Sequence, residues 1–223
     1  MSLDTYANLK TAILDMIKRP ELTTFVVDAI NLTESRINRK LRLLKQETLD
    51  TTTYDPASAS RYLTFPTGMT ELLELKIKTQ GDDDSTYINL TYLPTDRIQE
   101  KYSGTAGKPQ FYTIRNQFEF ERLPDVIYTI QQHYLKNWDI ATDSTNWLLT
   151  NHPDVYFYGS LVAMELYVQN DPRLPTWKSL WDEAMQELDD LDQRMRDDET
   201  LSVSDLASMD SSYRNFYNII RDL

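Results

Sequence analysis

Apolar positions recur along this chain at two different periods, and the switch between them divides it. Over residues 3–19, Tyr6, Leu9, Ile13 and Ile17 are spaced by three and four, which predicts an amphipathic helix, with Pro20 ending it or opening the next. A longer helix is expected over 22–45, with Val26, Ile30, Ile37, Leu41 and Leu44 on one face and Thr33 filling the gap. The period then falls to two. Leu73, Leu75 and Ile77 alternate with Glu74, Lys76 and Lys78, and Ile88, Leu90 and Tyr92 alternate with Asn89 and Thr91. "TDRIQEKY", 95–102, predicts one or two helical turns. In "GKPQFYTIRNQFEFERLPD", 107–125, Tyr112 and Ile114 share one strand face, and Phe118 and Phe120 another. Asn116-Gln117 falls where a tight turn belongs, and Val126, Tyr128 and Ile130 begin a further strand.

After about 144 the period returns to 3.6. Pro153 suits the first turn of a helix running to about 169, with Val155, Tyr158, Leu161, Val162 and Val168 on its apolar side. Gly159 and Ala163, four apart, permit a close helix crossing. Over 176–197, Trp177, Trp181, Ala184, Leu188, Leu191 and Met195 alternate spacings of four and three, a seam suited to antiparallel packing. Its other faces carry Asp182, Glu183, Glu187, Asp189, Asp190, Asp192, Asp197, Asp198 and Glu199, read as a solvated acidic surface. Residues 200–212 lose periodicity and read as a linker or mobile arm. The last eleven crowd Tyr213, Phe216, Tyr217, Ile219, Ile220 and Leu223 together. Two readings of them stand level: a segment folded back on its own core, or an arm that docks on a neighbour.

The pattern therefore specifies an α+β protein. Its mostly α-helical core of about four helices comes from an N-terminal pair (1–46) and a C-terminal pair (144–199). A β-rich insertion covers 47–143, and an extended C-terminal arm covers 200–223.

Charge narrows the partners. The net charge of −12 makes a phosphate-gripping surface a poor expectation for the chain as a whole. Arg36, Arg39, Lys40, Arg42 and Lys45 are the exception, read either as a solvated helix end favoured by the helix dipole or as a partner site. There is no cysteine, hence no disulfide or thiolate chemistry. Residues 1–20 lack the apolar segment of a signal peptide, and no apolar run is long enough to span a membrane.

Candidate chemistry is thin. Neither His133 nor His152 has a metal-ligand spacing, and none of the five glycines forms a phosphate-binding loop. The aspartates of "QGDDDS" (Asp82, Asp83, Asp84) lack the spaced ligands and closing glutamate of a calcium loop and read as a solvated turn. Glu119 and Glu121, two apart on one strand face, are the remaining candidate acid–base pair, set against charge alternation on a solvated hairpin. The second reading is preferred, with no catalytic residue, cofactor or metal expected.

The order of elements resembles the head–tail adaptor, or head-completion, proteins of tailed bacteriophages, especially short-tailed ones. The residues that carry the resemblance are "LTTFVVDAINLTESRINRKLRLL", the "GKPQFYTIRNQFEFERLPD" hairpin and above all "NHPDVYFYGSLVAMELYVQND" with the helix that follows it. The resemblance implies a virion protein at the portal vertex, assembled in the host cytoplasm, that catalyses nothing. It implies a ring, typically of twelve copies, with double-stranded DNA passing through without specific binding. It implies portal binding by an arm, here Tyr213, Phe216, Tyr217, Ile219, Ile220 and Leu223. It also implies that loops of the β insertion, here Asp82–Asp84 and Asn116–Gln117, face a tail or nozzle protein. Two other classes remain open: a soluble module recruiting a partner through its arm, and a carboxylate-dependent cell-wall hydrolase with a structural role.

Overall fold

A computed structural model describes residues 3–102 and 104–221, with side chains through Asp197. Helices and strands are numbered along the chain. It folds as two compact units, one of Met1–Lys45 with Asp139–Leu223, the other of Gln46–Trp138.

In the first unit, α1 (Tyr6–Ile17) is capped by the Thr5 side chain, which accepts from the Asn8 N–H, and closes on Lys18 in the left-handed region. It buries Leu9, Ala12, Ile13 and Ile17. The second helix, α2 (Thr23–Lys40), is shorter than its apolar spacing suggests. At Leu41 the backbone turns extended, with φ −99° and ψ 141°. Leu41 and Leu43 are buried while Arg42 between them is exposed, a period of two that closes the helix early. Two short helices, α4 (Ile140–Asp143) and α5 (Trp147–Asn151), start on Asp139 and Asn146, whose side chains accept from backbone N–H groups. They lead into α6 (Pro153–Val168), which packs on both α2 and α7 (Leu174–Arg221). The seam of α7 is as expected at Trp177, Trp181, Ala184 and Leu188, all buried.

Two expectations for α7 are corrected. Asp192, read as part of the solvated face, is buried. Its Oδ1 accepts from the Leu44 backbone N–H at 2.6 Å and its Oδ2 from Arg196 Nε at 2.7 Å. The stretch 200–212, expected as a linker or mobile arm, falls within the bounds of α7. No glycine or proline follows Pro175, so nothing in the chain interrupts the backbone ladder there.

The second unit holds two four-stranded sheets. The first has the order β1 (Glu47–Tyr54), β8 (Tyr128–Lys136), β3 (Met69–Thr79), β4 (Ile88–Asn89), all antiparallel. The second has the order β2 (Tyr62–Leu63), β7 (Phe118–Phe120), β6 (Phe111–Ile114), β5 (Thr91–Tyr92). Tyr54, Leu75, Ile77, Leu90, Tyr112, Phe118, Phe120, Tyr128 and Ile130, drawn from both sheets, form one core cluster. A short helix, α3 (Thr95–Lys101), buries Ile98.

Two alternations are interrupted. Leu73 is 44% exposed because register shifts between Met69 and Glu71 and between Leu72 and Glu74 turn it outward, while Leu75 and Ile77 face the core. The run Ile88, Leu90, Tyr92 is two strands and not one. Leu90 donates to Leu75 O at 2.8 Å in the first sheet, and Thr91 then donates to Gln110 O at 2.9 Å in the second. Only Leu90, at the crossing, is buried; Ile88 and Tyr92 are exposed.

Candidate functional site

The β6–β7 hairpin is the focus of the second unit. Its register pairs Tyr112 with Phe120 and Ile114 with Phe118, so these four side chains share one face. Thr113 and Glu119 pair on the other. Arg115, Asn116 and Gln117 form the turn, all exposed, with the Arg115 N–H donating to Gln117 O at 3.1 Å. The turn expected at Asn116-Gln117 is therefore present.

Glu119 and Glu121 are not on a solvated hairpin. Both are buried, at 1% and 4% exposure. Oε1 of Glu119 meets Arg61 Nη2 and Gln99 Nε2, each at 2.6 Å. The Arg61 guanidinium is held in turn over the Tyr102 ring, 4.2 Å from its centroid. Glu121 accepts two backbone N–H groups, from Gln110 at 2.8 Å and Phe111 at 3.0 Å. Each carboxylate thus holds a neighbouring segment in place: Glu119 ties α3 and the β2 entry to the hairpin, and Glu121 ties the chain entering β6. No hydrogen bond links the two, so the acid–base pair considered from sequence is two separate anchors.

The acidic loop is a turn closed by a cation. Lys78 Nζ reaches Asp84 Oδ1 at 2.6 Å and Asp82 O at 3.0 Å, and the Asp84 hydrogen bond, helped by the nearby negative charges, holds the Lys78 pKa above its ordinary value. Asp82, Asp83 and Asp84 are all exposed. Among the described residues no cluster of His, Asp or Glu is placed to hold a metal ion. His133 Nε2 lies 3.0 Å from Glu47 Oε2 across β1 and β8, and the His152 N–H closes α5 on Leu148 O at 2.7 Å. No helix of the described residues is long and apolar enough to cross a membrane. Of the expected arm residues, Tyr213, Phe216, Tyr217, Ile219 and Ile220 fall within the bounds of α7, their side chains beyond those described, and Leu223 lies outside the described residues.

The first unit contains a buried polar cluster that periodicity does not reveal. Oε1 of Glu34 accepts from the Ile140 N–H at 2.9 Å and from the Tyr156 hydroxyl at 2.8 Å, and Asn146 Nδ2 donates to that hydroxyl at 2.8 Å. Burial pushes the Glu34 carboxyl above the usual range, with Asp139 and Asp143 adding to the shift against its two hydrogen bonds. Tyr156 is pushed far above an ordinary phenol, chiefly by burial and then by the Glu34 charge.

These features are those of a scaffold: carboxylates spent on backbone donors, exposed loop tips and an apolar core in each unit. Comparison with known families agrees. The model of the SU10 adaptor protein family matches residues 4–203. The chain belongs to that family. SU10 adaptor proteins are phage head–tail adaptors, so this adaptor is a structural component of a virion and interacts with other virion components. The match takes in both units and most of α7. No curated protein matches the chain.

Proposed function

We propose that this adaptor joins the portal to the tail as a closed ring of twelve copies, through which double-stranded DNA passes. The family match over residues 4–203 carries the reading. A ring built head to tail needs two different patches on each subunit. Arg39, Lys40, Arg42 and Lys45 are exposed at and beyond the end of α2, and Asp182, Glu183, Glu187, Asp189 and Asp197 are exposed on α7, so surface charge of both signs is available. Net charge of −12 on every copy favours a bore along which DNA slides. The apolar side chains Tyr213, Phe216, Tyr217, Ile219, Ile220 and Leu223 anchor the ring on the portal. The tips at Asp82–Asp84 and Asn116–Gln117 meet the tail protein.

Co-sedimentation with the cognate portal ring tests this, using the full chain and a chain ending at Glu199, each followed by electron microscopy. The full chain is expected to cap the portal symmetrically and the shortened chain to remain in the supernatant. Equal binding by both would move the anchor from the arm to the helices. Binding by neither would overturn the reading.

A further inference from the structure

The hairpin tip opens onto a cleft with an unmet hydrogen bond at its floor. The cleft measures about 520 Å³ and is lined by Tyr62, Arg115, Asn116, Gln117 and Glu119. Oε1 of Glu119 is occupied, while Oε2 makes no hydrogen bond, is closed to solvent and is ion-paired with Arg115 Nε at 3.6 Å. Arg61 Nη1, in the same cluster, is buried without an acceptor. Buried polar atoms left unpaired are rare and costly, so an incoming group that completes them gains binding energy.

The charges select the group. A lysine or arginine reaching Oε2 meets two guanidinium groups, Arg61 and Arg115, around one carboxylate. A carboxylate or phosphate reaching Arg115 meets the negative charge of Glu119. A neutral group carrying both an N–H and a C=O satisfies each without repulsion. The rim presents matching partners in the Asn116 and Gln117 amides and the half-exposed Tyr62 ring. β2 is an edge strand of its sheet, so the cleft opens beside main chain that faces no further strand of its own sheet, which favours a polypeptide over a glycan. A cleft of this size holds a short turn.

We propose that this cleft receives a peptide turn of a partner protein, with the half-exposed Arg115 side chain moved aside and an asparagine or glutamine side chain donating its N–H to Glu119 Oε2. That the partner is another virion protein rests on the adaptor reading; the chemistry of the cleft does not.

The test is an NMR titration of the ¹⁵N-labelled full chain with four probes: blocked tripeptides with central Gln, Lys or Glu, and a neutral disaccharide. The Gln tripeptide is expected to shift the backbone signals of Arg115–Gln117 and the Arg115 Nε signal. It should bind about tenfold more tightly than the other three. Glu119→Gln should abolish the response. Because that change also touches Arg61, Gln117→Ala on the exposed turn serves as the second variant, expected to weaken binding with the rest of the spectrum unchanged. A response to the Lys, Glu or disaccharide probe equal to that of Gln would overturn the proposal, as would silence from all four. If the cleft is silent while the chain still caps the portal, this inference fails alone; if the cleft responds and the portal is not capped, the ring reading fails alone.

Discussion

The hydroxyl of Tyr156 donates to Oε1 of Glu34 at 2.8 Å, joining α6 to α2 through a buried carboxylate with no cation beside it in the cluster. The same oxygen takes the Ile140 N–H, so one atom fixes three helices. This arrangement is stable because two donors converge on the oxygen, and it is sensitive because burial opposes the charge.

Stability should therefore depend on pH through Glu34. Its folded pKa lies above the ordinary 4.5, so its contribution is fully present below that value and is lost as pH rises through the raised folded pKa. Glu34→Gln keeps the acceptor and removes the charge. Urea midpoints measured from pH 4 to 8 should show the wild type losing stability relative to Glu34→Gln as pH rises. Parallel curves would count against the assignment.

Gly159 is required by the crossing of α2, α6 and α7. A Cβ placed there would lie 2.5 Å from Thr33 Cγ2 and 2.8 Å from Trp181 Nε1. Neither neighbour yields easily, since both residues are buried. Gly159→Ala should cost about 1–3 kcal/mol of unfolding free energy despite its better helix propensity. Adding Thr33→Ser, which removes the nearer methyl, should recover part of the loss. A single mutant as stable as wild type would refute the close crossing.

Asp192 ties the start of the 44–46 turn to α7. Asp192→Ala removes the acceptor of the Leu44 N–H and one of the Arg196 contacts, that of Nε. Chemical denaturation should show a loss of about 1–3 kcal/mol, and Asp192→Asn a smaller one, because an amide oxygen still accepts from Leu44. If Asp192→Asn costs as much as Asp192→Ala, the charge and not the backbone hydrogen bond is what matters.

Glu121 is expected to act on local order and not on catalysis. Glu121→Ala should speed hydrogen exchange at Gln110 and Phe111, the two amides it accepts, with distant amides unchanged. On a peptidoglycan zymogram the wild-type chain should leave no clearing zone. A zone that disappears on Glu119→Gln or Glu121→Gln would restore the hydrolase reading.

Much of the local structure is legible in the chain. Spacings of three and four locate α1, α2, α6 and α7, and Asn116-Gln117 marks its turn, because helix and hairpin periods depend on near neighbours alone. Of the candidate site, the hairpin tip can be read this way, but the cleft cannot. Glu119 and Glu121 look like solvated charges, since alternation says which side of a strand a residue takes and not what covers that side. The same limit explains Leu73, turned out by register shifts that only pairing with β8 creates, and Leu90, buried because the chain changes sheets there.

By itself, then, the sequence determined the α+β class, the places where period changes, and the apolar seams of the helices. Tertiary structure alone decided which polar groups are buried: Glu34 on Tyr156, Asp192 on Leu44, Glu119 on Arg61. The partners in these pairs stand 122, 148 and about 58 residues apart in the chain, and no local pattern encodes a hydrogen bond across such a distance. A buried carboxylate reads like any surface charge until the donors that stabilise it are brought to it by the fold.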